Sequence, residues 1–159
     1  MRFIARLGLA ACCSVAFATL AVAQTAPPTP EEQAQMATET RQGLFKLINH
    51  YMAPLAGMIR KRTPFDAALA EKNAQRIQQL SPMIVEVFAP DTRKFQVKTQ
   101  AREGIWASMA DFSAKADDLG TAAAALAAAA KSGDQGATLK AAAAVGKACG
   151  NCHDNFRDK

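Results

Sequence analysis

From Thr29 to Phe156 the apolar residues of this 159-residue chain recur at helical spacing, and no stretch alternates with period two. Such a chain has helices to pack and no sheet to pack them on. Leu44, Ile48, Met52, Leu55 and Ile59 follow one another at spacings of four, four, three and four, one stripe of an amphipathic helix. Thr29-Pro30-Glu31-Glu32 opens it with a Thr cap, Pro in first position and acids in the first turn. The expected helix runs from about Glu31 to Arg60, bent at Pro54. Thr63-Pro64-Phe65-Asp66 opens a second, carried by Leu69, Ile77, Leu80, Ile84 and Phe88, interrupted at Pro82 and closed by Pro90-Asp91. Residues 91–101 are polar, a surface loop. Ile105, Met109, Phe112, Leu119 and Leu126 carry a third helix. A turn at Lys131-Ser132-Gly133-Asp134 leads to a fourth, from about Asp134 to Phe156. Four helices with short links predict an all-α, antiparallel four-helix bundle. Half of the residues are hydrophobic but only 6% aromatic. The Ala-rich run Thr121–Ala130 fits a helix whose small residues allow close approach.

The first 23 residues belong to something else. Arg2 and Arg6 give a basic start, an apolar stretch runs from Leu7 to Val22, and Ala21-Val22-Ala23 is a small-x-small cleavage pattern. This reads as a secretory signal peptide over 1–23, followed by a flexible mature N-terminus over 24–30 and the bundle over 31–159. The stretch is short and Ala-rich for a membrane span. Leu9-Ala10-Ala11-Cys12 has the look of a lipidation box, but the apolar core continues for ten residues past Cys12. Cleavage removes two of the 19 basic residues and none of the 14 acidic ones, so the formal net charge falls from +5 to +3. That is no footprint for nucleic acid. It also removes Cys12 and Cys13, leaving Cys149 and Cys152.

Those two cysteines stand in Cys149-Gly150-Asn151-Cys152-His153, six residues before the last, Lys159. Structural zinc needs four ligands, and the mature chain offers two thiols, His153 and the distant His50. A thioredoxin-like redox pair belongs beside a βαβ pattern, which this sequence lacks. A plain disulfide across two residues closes a very small loop and leaves His153 without a task. Covalent haem uses all three side chains. On a helix, positions 149, 152 and 153 share one face. The stripe Leu139, Ala142, Val145, Gly146 runs straight into them, so the haem is expected inside the bundle against the C-terminal helix. The thiols become thioethers, as haem c, and the imidazole ligates iron. Export agrees, since bacteria attach this group outside the cytoplasm.

The order of landmarks resembles class II c-type cytochromes, the cytochrome c′ family. It is carried by Arg41-Gln42, Thr63-Pro64-Phe65-Asp66, Ile105-Trp106 and the run Cys149 to Arg157, and covers residues 31–159. The resemblance implies a periplasmic four-helix bundle with one covalent haem c. It places Arg41 and Gln42 at the haem edge, where Arg41 can pair a propionate, with Gln100 as a further contact there. Arg157 is implied beside the proximal imidazole, where its charge favours the neutral ring and its donors face an incoming anion or gas. A homodimer through the first two helices is implied too.

The family divides on the sixth iron position, set four residues after the Arg of Arg-Gln. In low-spin electron carriers a Met stands there; here it is Phe45, which cannot ligate iron. The resemblance therefore implies a five-coordinate, high-spin haem that binds nitric oxide and carbon monoxide and can carry electrons. The alternative is a low-spin, six-coordinate electron-transfer cytochrome of the same family. In cytochromes c′ nitric oxide can end on the proximal side after displacing the histidine, here His153. Met52, seven residues past Phe45, is about 10 Å further along the axis and reads as core. His50 lies about 140° around the helix from Phe45 and reads as a solvated surface residue. Met36 and Met109 read as core or surface, and Trp106 as a core or dimer-interface aromatic. No distal acid–base residue is visible, so the expectation is a binding protein and not an enzyme. The redox partner is not legible.

Overall fold

The computed structural model describes residues 26–159. The export signal expected over 1–23 lies outside them. Among the described residues six helices follow one another: α1 (Pro30–Ile59), α2 (Ala67–Leu80), α3 (Met83–Phe88), α4 (Gly104–Ala107), α5 (Met109–Lys131) and α6 (Gln135–Phe156). They make four rods, because α2 and α3 share one and α4 and α5 share another. Among the described residues there is no strand, and the extended backbone pairs in one isolated antiparallel bridge, Ala101 with Arg157.

The helix starts lie where their caps are. Thr29 and Glu32 form a reciprocal capping box: the Glu32 N–H donates to Thr29 Oγ1 at 3.2 Å, and the Thr29 N–H donates to Glu32 Oε2 at 2.7 Å. Asp66 and Asp134 accept from the Leu69 and Ala137 N–H groups, each at 2.8 Å, and so open α2 and α6. Helix α1 runs unbroken through Pro54. The second rod breaks at Ser81-Pro82, where the sequence has it interrupted. The third was expected in one piece and is not: Ser108, at φ −135° and ψ 55°, separates the short α4 from α5. No side-chain cap supports that break, and periodicity carries straight across it because Ile105, Met109 and Phe112 keep helical spacing.

Contacts at both ends fix the direction of α1 against α6. Met52 Cε lies 3.8 Å from where a Cβ on Gly146 would stand. At the other end, Gln42 Nε2 donates to the Lys98 carbonyl at 3.0 Å, and the Asp158 N–H donates to the Gln100 carbonyl at 2.9 Å. The chain thus passes from Met52 back to Gln42 as α6 passes from Gly146 on to its C-terminus. The two helices are antiparallel.

Phe112, Ala116, Leu119, Ala123, Leu126 and Ala130 form a buried seam on α5, which packs most extensively against α2 and α6. Alternating large and small residues let these helices approach closely. The tightest point is Gly120: a Cβ there would stand 2.6 Å from Ser81 Oγ, whose hydroxyl already donates to the Gln78 carbonyl at 2.9 Å. Gly120→Val is expected to force α5 from α2 and lower stability by roughly 1–3 kcal/mol, as overpacked sites do. Urea denaturation measures this, and an unchanged midpoint would mean that the helices are free to separate.

Candidate functional site

Cys149, Cys152 and His153 lie on the last two turns of α6. Both cysteines are half-buried and packed against the core. Burial raises both thiol pKa values; at Cys152 the neighbouring Cys149 raises it further and Lys115 opposes. An environment that penalises a thiolate suits a thioether, which carries no charge. His153 is exposed. Partial desolvation lowers its pKa first, the Arg157 charge lowers it further, and Asp154 opposes. The neutral imidazole is the form that ligates a metal. The donor set and its surroundings therefore fit a thioether-linked haem.

Phe45 is half-buried on α1, two turns before Met52. Because α1 and α6 are antiparallel and Met52 lies beside Gly146, Phe45 comes level with about residue 153 along the bundle. Leu44, Phe45 and Met52 of α1 and Leu139, Cys149 and Cys152 of α6 are all half-buried and pack on the core's margin. His50 lies elsewhere: it is exposed and meets Tyr51 edge-on, ring centroids 5.2 Å apart. Among the described residues no group of three His, Cys, Asp or Glu side chains gathers as a metal site.

Arg41 is not at the surface. Only 3% exposed, it donates through Nε to the Val87 carbonyl at 2.9 Å and through its two terminal nitrogens to Thr92 Oγ1, 2.8 Å, and the Pro90 carbonyl. The guanidinium also lies over the rings of Phe88, at 4.7 Å, and Trp106, at 5.1 Å. Burial lowers its pKa while Asp91 holds it up. Asp91 stays ionised, its pKa pulled to about 2 by hydrogen bonds from Arg93. Three of the five guanidinium donors are thus committed to segment 89–103 and the end of α3. Gln42 and Gln100 are exposed and join the same segment to α1 and to the C-terminus.

Beneath the site runs a chain of aromatic rings that the sequence did not announce. Phe45 meets Phe88 at 6.2 Å, Phe88 meets Phe112 at 4.9 Å, and Phe112 meets Phe156 at 5.3 Å. Trp106 joins at Phe88, 5.9 Å away, and its indole N–H donates to the Phe88 carbonyl at 2.9 Å. The chain reaches from the α1 side of the site to the last turn of α6. Beside that turn an open cleft of about 420 Å³ is lined by Ser108, Asp111, Lys115, Asn155 and Phe156, among others.

A four-helix bundle whose last helix carries a Cys-x-x-Cys-His run, its two cysteines packed against the core, defines a class, the bundle-type c cytochromes. The comparisons give the family. The model of the cytochrome C′ family matches residues 36–157, more than half of the chain, and the chain belongs to that family. Cytochrome c′ of Rubrivivax gelatinosus is 37% identical over 123 residues, 77% of this chain and 95% of the relative. The structure of cytochrome c prime from Shewanella frigidimarina superposes with a TM-score of 0.73 at 36% identity, over 80% of this chain and 98% of that one. A nitric oxide complex of a variant of cytochrome c prime from Alcaligenes xylosoxidans gives 0.70 at 28% identity, over 79% and 97%. The family binds haem c covalently, and haem c is this chain's cofactor.

Proposed function

We propose that this chain is a periplasmic, non-enzymatic cytochrome that binds nitric oxide and carbon monoxide at a five-coordinate, high-spin haem c, and is able to carry electrons. In this reading Cys149 and Cys152 hold the haem as thioethers and His153 ligates its iron. Arg41, Gln42 and Gln100 border the haem edge, Arg41 with the two donors that segment 89–103 leaves it. Arg157 keeps the imidazole neutral from one helical turn away. Bound there, haem c supplies an iron able to take up a small diatomic ligand. Periplasmic location follows from the signal read over 1–23; among the described residues no helix is long and apolar enough to cross a membrane. A homodimer through α1 and α2 belongs to the same reading, and would cover apolar side chains such as Leu47, 42% exposed on α1.

The observation that carries it is Phe45 level with His153 on the facing helix. A phenyl ring occupies the volume of a sixth ligand and offers neither a lone pair to a metal nor a hydrogen bond to oxygen. The six-coordinate alternative needs a thioether or imidazole in that place, whereas Met52 sits beside Gly146 and His50 stands out against Tyr51. Optical spectra of the purified holoprotein, with and without carbon monoxide, separate the two readings by spin state. Phe45→Ala is expected to speed carbon monoxide binding by tens of fold, equivalent to about 2 kcal/mol of relieved crowding. Phe45→Met is expected to turn the spectrum low-spin. If Phe45→Ala leaves spin state and binding rate untouched, Phe45 is ordinary core.

A further inference from the structure

The last turn of α6 ends with carbonyls that no later residue of the helix can serve. The Arg157 N–H closes on the His153 carbonyl at 3.1 Å, which leaves Asp154, Asn155 and Phe156. One residue from elsewhere serves all three. The Arg102 backbone N–H donates to the Phe156 carbonyl at 3.0 Å. Its Nη1 donates to the Asp154 carbonyl at 2.9 Å and, at the long limit, to that of Asn155 at 3.4 Å. Its Nε bridges to Asp158 Oδ1 at 2.9 Å. The antiparallel bridge between Ala101 and Arg157 and the bond from the Asp158 N–H to the Gln100 carbonyl flank this contact. The charge has the right sign for a helix C-terminus. On its other side, the Arg102 carbonyl accepts from the Ile105 N–H at 3.2 Å and so begins the turn into α4, which carries Trp106.

We propose that Arg102 is a positioning residue for the proximal side: by holding the carbonyls that follow His153, it fixes how far the imidazole can travel from the haem. The proposal rests on the reading of His153 as the iron ligand. Fraying the last turn of α6 moves the backbone of His153 and Arg157 with it, whereas in this reading the thioethers at Cys149 and Cys152 tie the turn before it to the haem. The imidazole is therefore the part of the attachment run whose distance from the haem is adjustable, and Arg102 is what sets it.

The test uses holoprotein carrying Arg102→Gln, Arg102→Lys or Asp158→Asn. Two quantities are read: amide hydrogen exchange over residues 153–158, and the iron–histidine band in the resonance Raman spectrum of the reduced protein. Arg102→Gln is expected to raise exchange there at least tenfold and to shift or broaden the band. Arg102→Lys, which keeps the charge at the helix end, should recover part of both. Asp158→Asn removes the ion pair but leaves the carbonyl bonds, and should move the band little. If Arg102→Gln loosens the amides and leaves the band unmoved, Arg102 is only a helix cap and the proposal fails. If His153→Ala keeps the band, the ligand assignment itself is wrong, which is a different failure.

Discussion

Serine at both Cys149 and Cys152 is expected to yield a chain with no covalent haem. In the parent protein, mass spectrometry should show one haem added to a chain that begins at Gln24, and the haem should stay with the protein in acidified acetone. The physical basis is that the two sulfurs lie one turn apart on α6, half-buried where a charge is penalised, so each can become a thioether without exposing the core. A single replacement leaves the other sulfur and His153 in place and should retain part of the haem. The double replacement leaves one coordinate bond, and the half-buried apolar side chains of α1 and α6 then lie against water. Its bundle should be loosely packed and melt without a sharp transition, since whatever binds only the folded state stabilises it. A double variant that keeps acid-stable haem would overturn the assignment of the attachment residues.

Arg41→Met should lower stability by about 3 kcal/mol, because three acceptors lose a charged donor and hydrogen bonds of that kind contribute about 1.5–3 kcal/mol each. Part of this is offset, since the buried guanidinium no longer carries its own desolvation cost. Met fills similar space against Phe88 and Trp106 but gives nothing to the Val87 and Pro90 carbonyls or the Thr92 hydroxyl. With a urea dependence of about 2 kcal/mol per M, the midpoint falls by about 1.5 M. Arg41→Lys keeps the charge, yet a single ammonium cannot reach three acceptors set around a planar fork, so most of the loss should remain. An unchanged urea midpoint in Arg41→Met would show that segment 89–103 is held by other means.

Arg41 also marks where reading from sequence stops. The helix boundaries were legible to within a residue or two because their causes are local: Thr29, Asp66 and Asp134 each cap the helix they precede. The helix that carries Cys149, Cys152 and His153 was legible from the same periodicity. The resemblance puts Arg41 at a cofactor's edge, and period alone treats a cation as part of the solvent face, so neither signals that it is buried. Its burial depends on Val87, Pro90 and Thr92, which are 46 to 51 residues away. Arg102 left no mark for the same reason. Its partners are more than fifty residues distant and mostly backbone carbonyls, which carry no residue identity. Ser108 shows the reverse failure, a break inside an apolar pattern that continues regularly across it.

Segment 89–103 has a consequence for the order of assembly. The bonds that tie it to the helices are remote in sequence: Arg41 and Gln42 reach it across 49 to 56 residues, and Arg102 reaches Asp158 across 56. Closing loops of that length costs entropy before any contact repays it, so this corner should form late, whereas α6 can coil early from its own local bonds. For an interval the chain then presents Cys149, Cys152 and His153 on an ordered helix face with the end of that helix still unfastened. On the proposed reading, a haem delivered during that interval would meet a prearranged pair of thiols and an imidazole free to swing toward it. Once Arg102 fastens the final turn, the same fold that received the group keeps it.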